Sequence, residues 1–246
     1  MIKELLFLSL FLSSLLMFGQ SANEVNNKHY ALFDNYVGIE NIGISNGVIL
    51  EIEYKNIYDD QHQFFKSYDF LSGSVNYNGQ SYPDLKLRYD VYHDEILLKL
   101  PDSYGAVMLQ LLKEKVDYFF IDGHKFLHIN NEKILSTGVS GYFEVLLHKG
   151  LLDVYKKNGL VKRDVIENRR VFYQFSNKNS YILFYDNIYH NIDGKSDVVK
   201  LFPEQKSEIK AFYVKNKALR KLKPDKFIES LFSMIHSHLS KTNTQS

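Results

Sequence analysis

Between about residue 47 and residue 192 the chain breaks repeatedly into short apolar and aromatic runs, each closed by Gly, Asn or Asp. That rhythm constrains the fold more than any other feature, and it reads as an antiparallel meander. The clearest run is Leu85 to Tyr92, where Leu85, Leu87, Tyr89 and Val91 alternate with Lys86, Arg88 and Asp90. A period of two predicts a strand with one buried and one wet face. Asn78-Gly79 between Gly73–Tyr77 and Ser81–Tyr82 predicts a tight hairpin, because both turn residues tolerate positive φ. Asp122-Gly123 does the same between Val116–Ile121 and Lys125–Ile129, and Lys149-Gly150 between Tyr142–His148 and Leu151–Tyr155. Val171–Phe175, Tyr181–Tyr185 and Ile188–Ile192 continue the series. Tyr and Phe, 18 of each with no Trp, favour a half-buried pleated surface.

The pattern changes near Ser196. Ser196-Asp197 predicts a helical cap, and Pro203 opens a longer helix with Ile209, Phe212, Tyr213 and Lys217 at three- and four-residue steps. A second helix is predicted from Pro224-Asp225, with Phe227, Ile228, Leu231, Phe232 and Ile235 as the stripe that docks on the sheet. The fold class is therefore α+β, mainly antiparallel β: a meander sheet, partial barrel or sandwich with C-terminal helices.

Residues 1–21 read as an export signal. Lys3 and Glu4 hold the only charges of the first eighteen residues, and Leu5 to Phe18 is apolar apart from serines. At about 14 residues this run is shorter than the roughly 20 needed to span a bilayer. Gly19 and Ser21 place small residues where a signal peptidase cuts. A single domain is then expected over 22–240, β-rich over about 47–192 and helical over 196–239, with a disordered polar tail at 240–246. The absence of cysteine excludes disulfides, thiolate metal sites, a cysteine nucleophile and an acylated lipoprotein cysteine. With 30 basic and 29 acidic residues, the overall balance favours neither nucleic acid nor an anionic surface. The expected product is a soluble periplasmic or secreted protein with no membrane-spanning segment after processing.

Candidate chemistry is sparse. Gly43-Ile-Ser-Asn-Gly47 has the spacing of a nucleophile elbow around Ser45, but Val48–Tyr54 after it alternates like a strand where the elbow requires a helix. His93 beside Asp94 and Glu95 reads as a charged loop. His124 and His128 fall on a strand, where four residues separate them by about 13 Å, too far for one ion. His236 and His238 lie two apart on a helix and diverge by about 200°. Asp59-Asp60, Asp90, Asp94-Glu95 and Asp102 show no spacing that singles out a catalytic pair. No metal or cofactor is expected. Lys206, Lys210, Lys215, Lys217, Arg220, Lys221, Lys223 and Lys226 make the helical end locally basic, interleaved with Glu204, Glu208, Asp225 and Glu229. The aromatic groups Tyr54, Tyr58, Phe64, Phe65, Tyr68, Phe70 and Tyr118, Phe119, Phe120, Tyr142, Phe143 read mostly as core, with a concave face for a lipid or sugar as the functional option.

Gly73-Ser-Val-Asn-Tyr-Asn-Gly79, Leu85-Lys-Leu-Arg-Tyr-Asp-Val-Tyr92 and Lys200-Leu-Phe-Pro-Glu-Gln-Lys206 through Leu219 resemble uncharacterised exported proteins common in Bacteroidota. The resemblance implies a β-rich exported fold and no activity. The resulting expectation is a non-enzymatic envelope protein, a binding or assembly factor for a partner protein or a small amphipathic ligand. An exported hydrolase with a site assembled from distant loops is the alternative. A third reading is an accessory subunit of an outer-membrane complex.

Overall fold

In a computed structural model, the structure describes residues 43–45, 48, 49, 54, 61–100 and 108–243. The expected signal segment, Tyr58, Asp59, Asp60 and Asp102 lie outside them. So do the side chain of Ser45 and residues 244–246.

The turn chemistry builds the sheet. Strands β2 (Leu71–Tyr77) and β3 (Gln80–Asp90) are joined by Asn78 and Gly79, both at positive φ (55° and 77°), the turn whose twist matches the strands it connects. Asp122-Gly123 joins β6 (Val116–Ile121) to β7 (His124–Ile129) in the same way. Strands β8 (Gly141–His148) and β9 (Leu152–Lys157) form the expected third hairpin, and β12 (Ser180–Tyr185) and β13 (Ile188–Asn191) a fourth. With β1 (Val48–Ile49), β4 (Glu95–Lys99) and β5 (Met108–Gln110), these strands form one open antiparallel sheet of eleven. Its order is β1-β5-β4-β3-β2-β6-β7-β8-β9-β12-β13.

Three details differ from the sequence expectation. Ser81–Tyr82 and Leu85–Tyr92 are one strand through Asp90, interrupted by a bulge at Pro83-Asp84, where a missing N–H costs no ladder bond. Arg88 and Asp90, expected on a wet face, are buried, because residues 61–70 fold across them. Phe64 bridges to Asp90, and the Arg88 guanidinium lies 4.1–4.8 Å from the ring centres of Phe64, Tyr68 and Phe70. Val171–Phe175 does not extend the sheet. It belongs to β11 (Arg170–Asn177), which pairs with β10 (Leu160–Glu167) as a separate ribbon inserted between β9 and β12.

The sheet curls on itself, and aromatic rings fill the inside. Tyr89 of β3 meets Phe126 of β7 (5.2 Å) and Tyr142 of β8 (5.9 Å), although β8 is four places from β3 in the strand order. Phe119 stacks on Phe126 at 4.7 Å, and Tyr89, Phe119, Phe126 and Tyr142 are all fully buried. Each such ring contributes about 1.5–3 kcal/mol by leaving water. The aromatic clusters are thus chiefly core.

Among the described residues there are five α-helices: α1 (Glu132–Leu135), between β7 and β8, which the sequence pattern did not reveal, then α2 (Lys195–Leu201), α3 (Lys206–Lys215), α4 (Lys217–Leu222) and α5 (Pro224–Asn243) after the last strand. The first turn of α2 is closed by Asp197, which accepts from the Asp193 and Gly194 N–H groups. Ser196 lies within the helix, so the cap, at Gly194, is two residues ahead of the expected Ser196. The stripe Phe227, Ile228, Leu231, Phe232 and Ile235 packs, with Ile209 and Tyr213, on Leu147, Leu152, Val154 and Leu183 of the sheet. The helix α5 continues to Asn243, past Leu239 where the polar tail was expected to begin. The Ser240 hydroxyl donates to the His236 carbonyl one turn back, which gives this polar side chain a partner on the helix. Among the described residues no helix is long and apolar enough to cross a membrane.

Candidate functional site

Two apolar clusters share the inner face of the sheet, the aromatic core over β2–β8 and the helix-covered core over β8–β12. The register between them runs Val75, Phe119, Phe126, Glu144, Lys156, Tyr181 across six neighbouring strands. The first three are apolar and the last three polar. Three polar side chains in a row of a buried face require partners, and they have them. Glu144 accepts from His124 Nδ1 at 2.6 Å and from Asn158 Nδ2 at 2.9 Å, with Lys156 Nζ at 3.5 Å. Lys156 reaches Asp225 of α5 at 2.7 Å, and the Tyr181 hydroxyl donates to the other oxygen of Asp225 at 2.7 Å. Burial first, and then the Asp225 bond, push the Tyr181 hydroxyl above its ordinary range. Charge alternates along the line from Glu144 through Lys156 to Asp225, and this polar seam fastens the first turn of α5 to the sheet.

Above the seam is a cleft of about 520 Å³ lined by His124, Glu144, Val145, Leu146 and residues 222–226 and 229. Charged side chains and the aliphatic Val145, Leu146 and Leu222 share its wall. Since a carboxylate can only accept, His124 donates through Nδ1, and among the described residues its Nε2 carries no hydrogen bond. Among the described residues, the wall offers no Ser, Thr, Tyr or Cys. The cleft sets charged groups of both signs beside aliphatic surface.

The other sequence candidates are scattered. Gly43–Ser45 is a single 3-10 turn followed by strand β1, so the helix an elbow needs does not follow it. His93 is held by Asp90, through Nδ1 at 3.0 Å and the backbone N–H at 3.0 Å, and stacks on Tyr54. His148 is held by Asp153 at 2.6 Å. His128 shares a strand with His124 but donates to the Val116 carbonyl at 3.2 Å. His236 and His238 lie on α5, away from the seam residues in sequence. Among the described residues, none of the aromatic candidates lines the cleft. Glu144, Lys156 and Asn158 escaped the sequence reading. The available signal was Glu144 two residues after Tyr142, a carboxylate on the apolar face of a strand.

A second buried network locks the curl of the sheet. Asp94, in the β3–β4 turn, bonds Tyr89 Oη (2.6 Å), Lys157 Nζ (2.8 Å), Lys113 Nζ (3.0 Å) and the Tyr142 N–H (3.2 Å). Burial would raise the Asp94 carboxyl, but Lys157, Tyr89 and Lys113 together hold it below its ordinary 3.8. Nearby, burial lowers the His128 imidazole below its ordinary 6.5, only partly offset by its bond to Val116. A depressed folded pKa means the unfolded imidazole takes up a proton first, so this contribution is present above pH 6.5 and lost as pH falls through the folded value. The expected result is that the urea midpoint of wild type declines relative to His128→Gln below about pH 6.5. A constant offset between the two proteins from pH 8 to 5 would show that the imidazole does not titrate this way.

Compared with family models, curated proteins and solved structures, the chain matches none. The functional reading therefore rests on the cleft and the seam beneath it.

Proposed function

We propose that this chain is an exported, non-enzymatic binding protein of the bacterial cell envelope, and that the cleft between β7–β8 and α5 takes a small amphipathic ligand bearing an ionised group. One observation carries the reading. A cleft of about 520 Å³, within the range of small-molecule sites, places His124, Glu144 and Asp225 beside Val145, Leu146 and Leu222. The polar groups are oriented before any ligand arrives, since the seam fixes His124 and Asp225 from below. The apolar run Leu5–Phe18 supports export.

Native mass spectrometry of the chain recovered gently from its own envelope fraction tests this. The expected spectrum shows a discrete small adduct that His124→Ala and Lys226→Glu, both at the cleft wall, each release. A bare monomer would overturn the small-ligand reading, and so would turnover of an ester or glycoside that His124→Ala abolishes. A protein-sized adduct would replace it with the assembly-factor reading.

A further inference from the structure

The overall charge of the chain is nearly balanced, yet between Ile209 and Pro224 there are six cations and no acid. These residues form the end of α3, all of α4 and the turn into α5. Asn216, with φ −104° and ψ 27°, separates α3 from α4: its N–H bonds the Phe212 carbonyl and its carbonyl accepts from the Arg220 N–H. Lys210 and Val214 share one side of α3, and Lys217 and Lys221 share one side of α4. All four are exposed, while Ile209 and Tyr213 face inward. Val214 is 79 % exposed, and Leu222, next to Lys221 and Lys223, is 76 % exposed. Isolated aliphatic side chains standing among lysines are poor material for a protein interface, which concentrates aromatic anchors and depletes lysine. Nucleic acid would find no exposed ring to stack on along this stripe. A bilayer surface suits it well, because aliphatic tips enter the headgroup boundary while lysine stems extend toward anionic lipid.

We infer that the α3–α4 stripe docks the protein on an anionic lipid surface, with Val214 and Leu222 entering the headgroup region and Lys210, Lys217 and Lys221 meeting the lipid charge. This holds whether or not the cleft is occupied, although Leu222 and Lys223 also border the cleft. A ligand leaving a membrane would therefore meet the cleft at its docked edge.

Vesicle flotation tests the inference with the processed chain from the envelope fraction. Vesicles with about 30 % phosphatidylglycerol in phosphatidylcholine are compared with phosphatidylcholine alone. Preferential binding to the anionic vesicles, weakened at about 1 M salt, is expected. Lys217→Glu/Lys221→Glu should lower partitioning by at least about tenfold, and Val214→Ser by about two- to fivefold. These sites are exposed, and circular dichroism of each variant verifies that it is folded. Equal binding to both vesicles would overturn the inference, as would a preference that survives the charge reversal. Retention of a folded acidic protein by the same stripe without any anionic-vesicle preference would overturn it too.

Discussion

Gly141→Ala is expected to lower the melting temperature by on the order of 10 °C or more, from a cost of about 3–5 kcal/mol. Gly141 has φ +95°, a backbone conformation that L side chains rarely adopt. An added Cβ would lie 1.9 Å from Asp94 Oδ2. A carboxylate at the end of a free side chain would swing aside, but this one is held by Lys113, Lys157, Tyr89 and the Tyr142 N–H. Making room for a methyl group means breaking the network that ties the β3–β4 turn to β8. Asp94→Ala should cost a similar amount by a different route, since it takes the carboxylate from two lysine ammonium groups and leaves the largely buried Lys157 with the Tyr142 carbonyl alone among the described residues. Burial lowers the Lys157 ammonium more than the Asp94 charge restores it. The burial of Lys157 thus offsets part of the attraction that holds the Asp94 carboxyl low, and removing one partner of a buried pair is worse than having neither. Asp94→Ala also removes the oxygen that Gly141→Ala strikes, so the double variant should be more stable than the sum of the singles by at least about 1 kcal/mol. Urea unfolding of the four proteins measures that coupling. Strict additivity would show that the methyl group does not act through Asp94.

Local features of this fold were legible in the sequence, and long-range pairings were not. Asn78-Gly79 and Asp122-Gly123 announce their hairpins because positive φ at two successive residues is a local demand. The stripe from Phe227 to Ile235 announces its helix for the same kind of reason. That β2 lies beside β6, and β9 beside β12, depends on contacts between distant segments that no short window contains. The misplaced face of β3 has the same origin. Arg88 and Asp90 look solvent-facing until residues 61–70 lie over them, and a guanidinium among three rings is a cation that folding has deliberately covered. The site was still harder to see. Glu144, Lys156 and Asp225 come from two strands and a helix, and each alone reads as an ordinary surface charge. Only the register places Glu144 and Lys156 side by side on a buried face.

The larger loss along the seam is expected at Glu144. Its residue is 3 % exposed, and Glu144→Ala leaves His124 and Asn158 without their acceptor and Lys156 with one carboxylate in place of two. Removing one member of a buried ionic set costs about 3–5 kcal/mol. Asp225→Ala touches the same lysine from the solvent side, where the carboxylate is partly exposed and Lys156 keeps Glu144. A loss of about 1–2 kcal/mol is expected there, mostly from the Tyr181 and Lys156 bonds. The order of the two effects is the test, measured as urea midpoints and as amide exchange along β8, β9 and the first turns of α5. Glu144→Ala should speed exchange in both strands and in the helix, whereas Asp225→Ala should speed it in the helix alone. If Asp225→Ala were the costlier change, the helix would be holding the sheet in shape. The order expected from burial is the reverse: the sheet carries a preformed polar row, and α5 is fastened to it, so the cleft keeps its floor even when its helical wall loosens.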